Sequence, residues 1–401
     1  MKSKRILRQR LFFNYEDKLN MITKIIIAAD IVPTVSNKKY FANGDLEYLV
    51  GKTLKRRLES ADFIAMNLEV PLVNKTSPIR KCGPCLIAPT ETVVGLKAIN
   101  PFFFTLANNH ILDQGVCGLN STIGILKENG IAYAGVGKNI EEAKKPFIKE
   151  IINLKVGIYC CAEHEFSIAG KDTPGANPYN PLESFDDVRR LKQQCNYVIV
   201  LYHGGKEHYR YPSPMLQKVF HKFADSGADL VIAQHTHCIG CKEEYNGSTL
   251  VYGQGNFLFD HSTNEYWKTS LVIELLFEEG KQAIVNYVPL VKEDEKVREA
   301  EGKLKETILR DFQKRSREIL EVDFIEMEYG RFALKMEKEY LLRFSGHFKK
   351  NIFFRIFNKL TSYRFIRYFY PDDAKVAIEN VLDCEAHREL AISCMKQKDK
   401  F

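Results

Sequence analysis

Nowhere among its 401 residues does this chain hold an apolar run long enough to cross a bilayer, for which about 18 consecutive residues are needed. Its first twenty residues carry Lys2, Lys4, Arg5, Arg8 and Arg10 but then only Leu11-Phe12-Phe13, short of the roughly 7–15 apolar residues of a secretory signal. No internal repeat is evident, which excludes solenoids and propellers. The net charge is only +7, which allows an anionic ligand without demanding nucleic acid, so no nucleic-acid partner is expected. The ten cysteines include the adjacent pair Cys160-Cys161 in a strand-like run, a pattern that suits a reducing compartment better than a disulfide framework. The expectation is a cytoplasmic protein, able to sit peripherally on the inner membrane face.

What is present is a large globular chain, 45% hydrophobic and 27% charged, able to bury one large or two ordinary cores. Five apolar runs end in polar, metal-type residues. Ile25 to Ala29 ends at Asp30, Phe63 to Met66 at Asn67-Leu68-Glu69, and Phe102 to Ala107 at Asn108-Asn109-His110. Tyr197 to Tyr202 ends at His203, and Leu230 to Ala233 at Gln234-His235-Thr236-His237. The carboxyl ends of strands are where open α/β sheets gather their sites. Strands are expected near 24–29, 63–67, 102–107, 131–135, 156–161, 197–202, 229–233, 249–254, 270–277 and 283–289. Helical patterns fall at 45–60, 90–99, 117–129, 184–195 and 214–226, and Asn129-Gly130 and Ser226-Gly227 mark C-termini. The alternation predicts an α/β fold with mixed sheets. Glu293 to Arg317 is dense in both charge signs, as an exposed helical linker would be.

Asp30, Glu69, Asn109, His203, His235 and His237 supply carboxylate, amide and imidazole ligands of the kind that manganese, iron or zinc accept. Period-two geometry would send the His235 and His237 rings to the same side of a strand. The blander reading of any one of them is a helix cap, a turn residue or a satisfied interior imidazole. The ordered set is harder to dismiss than its members.

The order and spacing of these motifs resemble the CapA, or poly-gamma-glutamate capsule-synthesis, family, a branch of the calcineurin-like metallophosphoesterase fold. The resemblance rests on Asn67-Leu68-Glu69; Leu106-Ala107-Asn108-Asn109-His110 with Asp113 and Gly115; and His203-Gly204-Gly205 with Glu207 and Tyr209. It continues through Asp229 to Ile232, His235-Thr236-His237, and Tyr252 to Phe257 with Phe259-Asp260. It implies a four-layer α/β sandwich over residues 22–292, between an N-terminal extension (1–21) and a mainly helical C-terminal extension (293–401). It implies that Asp30 is the first-strand ligand, Glu69 the carboxylate bridging two metals, Asn109 the amide ligand, and His203, His235 and His237 the imidazole ligands. His110 would protonate the leaving oxygen, oriented by Asp113. Asn67, Lys206, Glu207, Tyr209, Arg210 and Asn256 would line the substrate pocket. One or two divalent ions (Mn, Fe or Zn) are the implied cofactors.

The chain departs from common metallophosphoesterases. Their first strand carries Asp-x-His, where this one reads Asp30-Ile31-Val32, so one imidazole is missing and one metal position is weakened. Glu69 is one methylene longer than the usual Asp, Ala29-Asp30 stands for Gly-Asp, and Gly204-Gly205 replaces the family's His-Trp-Gly, removing an aromatic from the pocket wall. Two Cys-x-x-Cys pairs, Cys82-Gly83-Pro84-Cys85 and Cys238-Ile239-Gly240-Cys241, leave two readings open: four incidental thiols, or a shared metal or disulfide if the pairs meet in space.

Residues Tyr340 to Tyr370 contain no acidic residue and seven Lys or Arg, with ten aromatics among 344–370. Such a segment either packs its apolar face on its own protein or lies on an anionic membrane surface. The functional expectation is a metal-dependent phosphoester hydrolase in bacterial capsule or surface-polymer production, acting on an anionic phosphoester or polymer. The alternative is a non-hydrolytic polymer-binding or scaffold subunit of a synthesis or export complex.

Overall fold

Runs such as Ile25-Ile26-Ile27 are β-branched and buried on both faces, the signature of central parallel strands rather than of half-exposed ones. The structure is a computed structural model that describes residues 22–100, 103–259, 264–346 and 351–396. The extension 1–21, Phe102, Asp260 and Lys349-Lys350 lie outside these residues.

The strands are β1 (Thr23–Ile31), β2 (Phe63–Leu68), β3 (Phe103–Thr105), β4 (Ala132–Ala134), β5 (Val136–Gly137), β6 (Phe147–Ile151), β7 (Leu154–Ala162) and β8 (Gly175–Ala176). They continue with β9 (Tyr197–His203), β10 (Leu230–Gln234), β11 (Lys242–Tyr245), β12 (Ser248–Val251), β13 (Asn256–Leu258), β14 (Thr269–Phe277), β15 (Ile284–Glu293) and β16 (Lys296–Glu299). One sheet runs β16-β15-β14-β1-β2-β3-β4 with β13 also paired to β1, and the other runs β11-β12-β10-β9-β7-β6. In the first, the pairs from β1 to β4 are parallel and those from β1 to β16 antiparallel; in the second, parallel pairs form the centre and an antiparallel pair each edge. The small pair β5-β8 is separate.

The alternation of side chains along each strand builds the layers. Ile25, Ile27, Phe63 and Phe103 meet Ile158, Cys160, Ile199 and Ile232 in a core shared by the two sheets. Their neighbours Ile26, Ile64, Met66 and Phe104 face outward to Leu49, Leu54, Leu58 and Leu96 of flanking helices. On the other outer side, Tyr159, Val198, Val200 and Val231 pack against Val188, Leu191, Phe220 and Phe223. Helix, sheet, sheet, helix is thus the layer order, a mixed α/β sandwich as expected. Helix Leu46–Glu59 is capped by Asp45, which accepts the Tyr48 N–H at 3.1 Å. Helix Pro214–Asp225 opens with Ser213 as cap and Pro214 in its first turn.

Residues up to Ile325 form one compact unit and residues from Glu326 another. The charged stretch after Glu293 is not an exposed linker. It forms β16 and the helix Gly302–Glu318, whose Ile308 and Phe312 are buried against Ile239, Leu271 and Ala300. Its apolar residues recur at i and i+4, a stripe that charge density masks. The second unit includes helices Ile352–Leu360, Arg364–Tyr368, Asp372–Asp383 and Glu385–Lys396. Among the described residues no helix is long and apolar enough to cross a membrane.

Candidate metal centre

The two sheets bring their carboxyl ends to one place. Asp30 lies at the end of β1, in register with Asn67 on β2 and with Asn256 on β13. Glu69 follows β2, Asn108 to His110 follow β3, His203 ends β9, and His235 follows β10. Three groups of donors lie close enough to share a cation: Glu69 with His203 and His235, Asp30 with Glu69 and His237, and Glu207 with His235 and His237. Glu69 belongs to two of these groups, as do His235 and His237. Asn109 joins the first group through its Oδ1, 3.0 Å from His203 Nε2.

The polar surroundings hold these donors in place. Asn67 Nδ2 donates to Asp30 Oδ1 at 2.7 Å, while Asn67 Oδ1 accepts from Asn108 Nδ2 at 3.0 Å. The His235 backbone N–H points at Asp30 Oδ2, 3.3 Å away. His237 Nδ1 is 2.7 Å from Asn256 Oδ1 and 3.7 Å from Asp30 Oδ2. Donation from Nδ1 to the amide oxygen would leave Nε2 available as a ligand.

Both imidazoles of the His-Thr-His motif reach the site, but not by strand alternation. Strand β10 ends at Gln234, and His235 and His237 take left-handed φ values of 83° and 53°. A non-glycine residue there costs on the order of 1–3 kcal/mol and is seen chiefly where function requires it. The turn, not the pleat, brings the ring centroids within 5.7 Å.

Burial sets the electrostatics. Asp30 and Glu69 are fully buried, and loss of hydration raises both carboxyls to about 7; Glu69 adds to the shift at Asp30. The same desolvation holds the His203 imidazole below its usual value, His235 well below, and His237 down to about 3. Both Glu69 oxygens, His235 Nδ1 and Asn256 Nδ2 are buried with no hydrogen-bond partner among the described residues. An isolated buried carboxylate costs several kcal/mol, so the orphaned Glu69 oxygens and His235 Nδ1 fit a divalent cation.

His110 Nδ1 is 2.6 Å from Asp113 Oδ2, as the resemblance implies. Sequence reasoning missed the third member. Lys81, with a side chain only 2% exposed, sits 2.5 Å from Asp113 Oδ1 and 3.2 Å from His110 Nδ1. Leu86 N–H completes the carboxylate's partners at 2.6 Å. Nothing local marks Lys81, since its partner is 32 residues away. Glu165, also missed, accepts from Asn109 Nδ2 at 2.6 Å and so turns Oδ1 toward His203.

The remaining expected pocket residues divide. The Glu207 side chain is 44% exposed, with Oε1 4.0 Å from His235 Nε2, and half-buried Lys206 lies close enough for its charge to lower the His235 imidazole further. Arg210 donates to the Ile239 carbonyl at 3.0 Å and covers the Tyr266 ring, so its charge is committed to the loop after His237. Tyr209 is buried edge-on against Tyr211. The aromatic missing at Gly204-Gly205 has a counterpart from another segment: Trp267, the chain's only tryptophan, lies 4.7 Å from the His237 ring, and its indole N–H donates to His208 at 2.8 Å.

All ten cysteines are free thiols, and none joins the metal-type groups among the described residues. Cys82 is exposed while Cys238 and Cys241 are buried, and burial pushes the Cys238 thiol up to about 11.

Fold and site together define an α/β sandwich with a carboxylate, amide and imidazole cluster at converging strand ends. The chain belongs to the bacterial capsule synthesis protein PGA_cap family, whose model matches residues 24–261. It is 28% identical over 242 residues to the capsule biosynthesis protein CapA of Bacillus anthracis, covering 58% of this chain and 59% of that one. To the PGA biosynthesis protein CapA of Bacillus subtilis it is 28% identical over 219 residues, covering 53% and 57%. The matched region thus spans less than two thirds of either relative. Among solved structures it is similar to a phosphatase of Mycoplasma pneumoniae, at 13% identity and a TM-score of 0.46, over 69% of this chain and 95% of that one.

Proposed function

We propose that this chain is a metal-dependent phosphoester hydrolase serving the production of capsule, poly-gamma-glutamate or another surface polymer. The observation that carries the reading is the pair of Glu69 carboxylate oxygens, fully buried and without a hydrogen-bond partner, with Oε1 3.3 Å from His203 Nε2, in a residue shared between two groups of imidazole and carboxylate donors. Asp30, Glu69, Asn109, His203, His235 and His237 would hold one or two divalent cations, with Mn, Fe and Zn all suited to this mixture. A cation held there supplies Lewis acidity toward a phosphoryl oxygen and toward water.

The chain's own groups do the rest. Asp113 accepts the Nδ1 proton of His110 and so fixes the ring's tautomer and tilt, leaving Nε2 as the atom that delivers a proton to the leaving oxygen. Lys81 pairs with Asp113 and balances its charge. Lys206 gives the pocket mouth a positive charge for an anionic phosphoester or polymer. The same reading places the protein in the cytoplasm, where its ten thiols stay reduced.

The test is metal analysis of the purified chain for Mn, Fe and Zn, with turnover of phosphomonoester and phosphodiester model substrates beside His110→Ala and Asn109→Ala. Turnover should fall by roughly 10²–10⁴ in His110→Ala, and metal content should fall in Asn109→Ala. A metal-loaded chain that turns over no ester, or variants that match the parent, would overturn the reading. One feature favours a non-hydrolytic polymer-binding or scaffold role: buried Val32 stands where the missing first-strand imidazole would be. Metal retention without turnover is the result that role predicts.

A further inference from the structure

Helix Ile352–Leu360 is built the wrong way round for a helix whose only task is to pack. Its buried side consists of Phe354 and Asn358. Phe354 joins Leu341 and Ile366 in a small core, with the Phe365 and Phe369 rings 5.3 and 6.0 Å away. At 100° per residue, Ile352, Ile356, Leu360, Phe353 and Phe357 fall within an arc of about 140°. That arc faces away from the core, with these side chains 56%, 51%, 77%, 79% and 49% exposed. Arg355 and Lys359 lie side by side along one border of it, both exposed. Just beyond, Arg364 and Tyr368 are exposed too, Tyr368 by 79%.

We propose that this face docks on an anionic lipid bilayer surface, with the five apolar side chains entering the headgroup boundary and Arg355, Lys359 and Arg364 engaging lipid phosphates. Three observations commit the face to that occupant. The apolar arc is continuous and bordered by cations, the layout of helices that lie in the interfacial plane. The stretch Tyr340 to Tyr370 has seven Lys or Arg and no acidic residue of its own, with only Arg343 and Arg367 paired among its described cations, to Glu339 and Glu337, a balance that complements an anionic surface. And among the described residues no carboxylate pairs with Arg355, Lys359 or Arg364, whereas Arg367 is held by Glu337 at 2.8 Å. The helix has nine residues, too few to cross a bilayer and enough to lie on one. The proposal does not depend on the metal centre or on hydrolysis.

The experiment is sedimentation of the full-length chain with phosphatidylcholine vesicles, with and without phosphatidylglycerol. Three proteins are compared: the parent, the apolar triple variant Phe353→Ser, Phe357→Ser, Leu360→Ser, and the charge variant Arg355→Gln, Lys359→Gln. Circular dichroism checks folding, and the charge variant keeps the test valid if the triple variant unfolds. The parent should partition onto anionic vesicles at least about tenfold better than onto neutral ones, and each folded variant should lose about tenfold of that binding. Added salt should weaken the parent. Absence of parent binding to anionic vesicles, or variants that bind as the parent does, would overturn the proposal. So would a parent dimer that the triple variant converts to monomer with vesicle binding unchanged, since a second copy would then cover the face.

Discussion

Glu69 is a fully buried carboxyl in the site, and its behaviour without metal is a direct test of the cluster. Burial raises its folded pKa from 4.5 to about 7. The stabilisation tied to the protonated form is complete below about 4.5 and is lost as pH rises through about 7. Glu69→Gln removes that loss, so in the presence of chelator it should be more stable than the parent at pH 8, by on the order of 2–3 kcal/mol, with no such gain near pH 4. The same variant should fail to retain metal. Thermal unfolding at the two pH values, with metal analysis, checks both. Proton competition gives a second prediction. Asp30 and Glu69, both raised to about 7, must release protons to bind a cation below about pH 7, whereas burial lowers the His203, His235 and His237 imidazoles and so favours their neutral, ligating form. The logarithm of the metal association constant should therefore rise with pH, with a slope approaching about 2 between pH 5 and 7, and flatten above. Titration calorimetry across that range would refute the assignment if the slope were zero. Lys81 invites a double-mutant cycle. Lys81→Met leaves a buried Asp113 carboxylate without its cation and should cost roughly 3–5 kcal/mol in urea unfolding. Adding Asp113→Asn should recover part of that, an interaction energy that independent sites would not show.

The loop Gln234 to Cys241 holds both left-handed histidines, and its neighbours explain how it keeps them. Arg210 binds the Ile239 carbonyl, Arg315 binds the Gly240 carbonyl at 2.7 Å, and the Gly240 N–H reaches Gly253 O at 3.1 Å. Gly253 itself, at φ +141°, leaves no room: a Cβ there would stand 2.7 Å from Thr236 Oγ1 and 2.8 Å from the Cys238 carbonyl. Gly253→Ala should cost on the order of 1–3 kcal/mol and reduce bound metal, because the backbone it displaces carries His235 and His237. Denaturation and metal content measured together distinguish this from an ordinary core lesion, which would lower stability and leave metal content intact. Arg315 belongs to helix Gly302–Glu318, so a segment outside the family match supports the loop that carries His235 and His237. Strands β1, β2, β9 and β10 were legible because their apolar runs are long and buried on both faces. The edge strands β6, β11 and β16 were not, because short half-exposed segments such as Lys242–Tyr245 read as polar loop until a neighbour pairs with them.

In the whole molecule, two compact units meet at Ile325 and Glu326 in the chain. The first has large cores on both sides of each sheet, whereas the second is built around the small cluster of Leu341, Phe354 and Ile366. Calorimetry should resolve separate transitions, the smaller unit unfolding first. Divalent metal should raise only the transition of the first unit, by about 2.7 kcal/mol of stabilisation at a hundredfold excess over its dissociation constant. A shift in both transitions together would show the units to be thermodynamically one.

Which ligand types exist, in what order, and at which strand ends were properties of the chain read locally. So were the layered α/β architecture and the family resemblance, because apolar periodicity and motif spacing need no knowledge of neighbours. Their convergence was not local. The left-handed turns at His235 and His237, the reach of Lys81 to Asp113 across 32 residues, the turning of Asn109 by Glu165 and the burial of Glu69 without a hydrogen-bond partner arise only when two sheets close on one another. Desolvation and Coulomb interaction act through space, so the charge state of the site is a property of the packed fold.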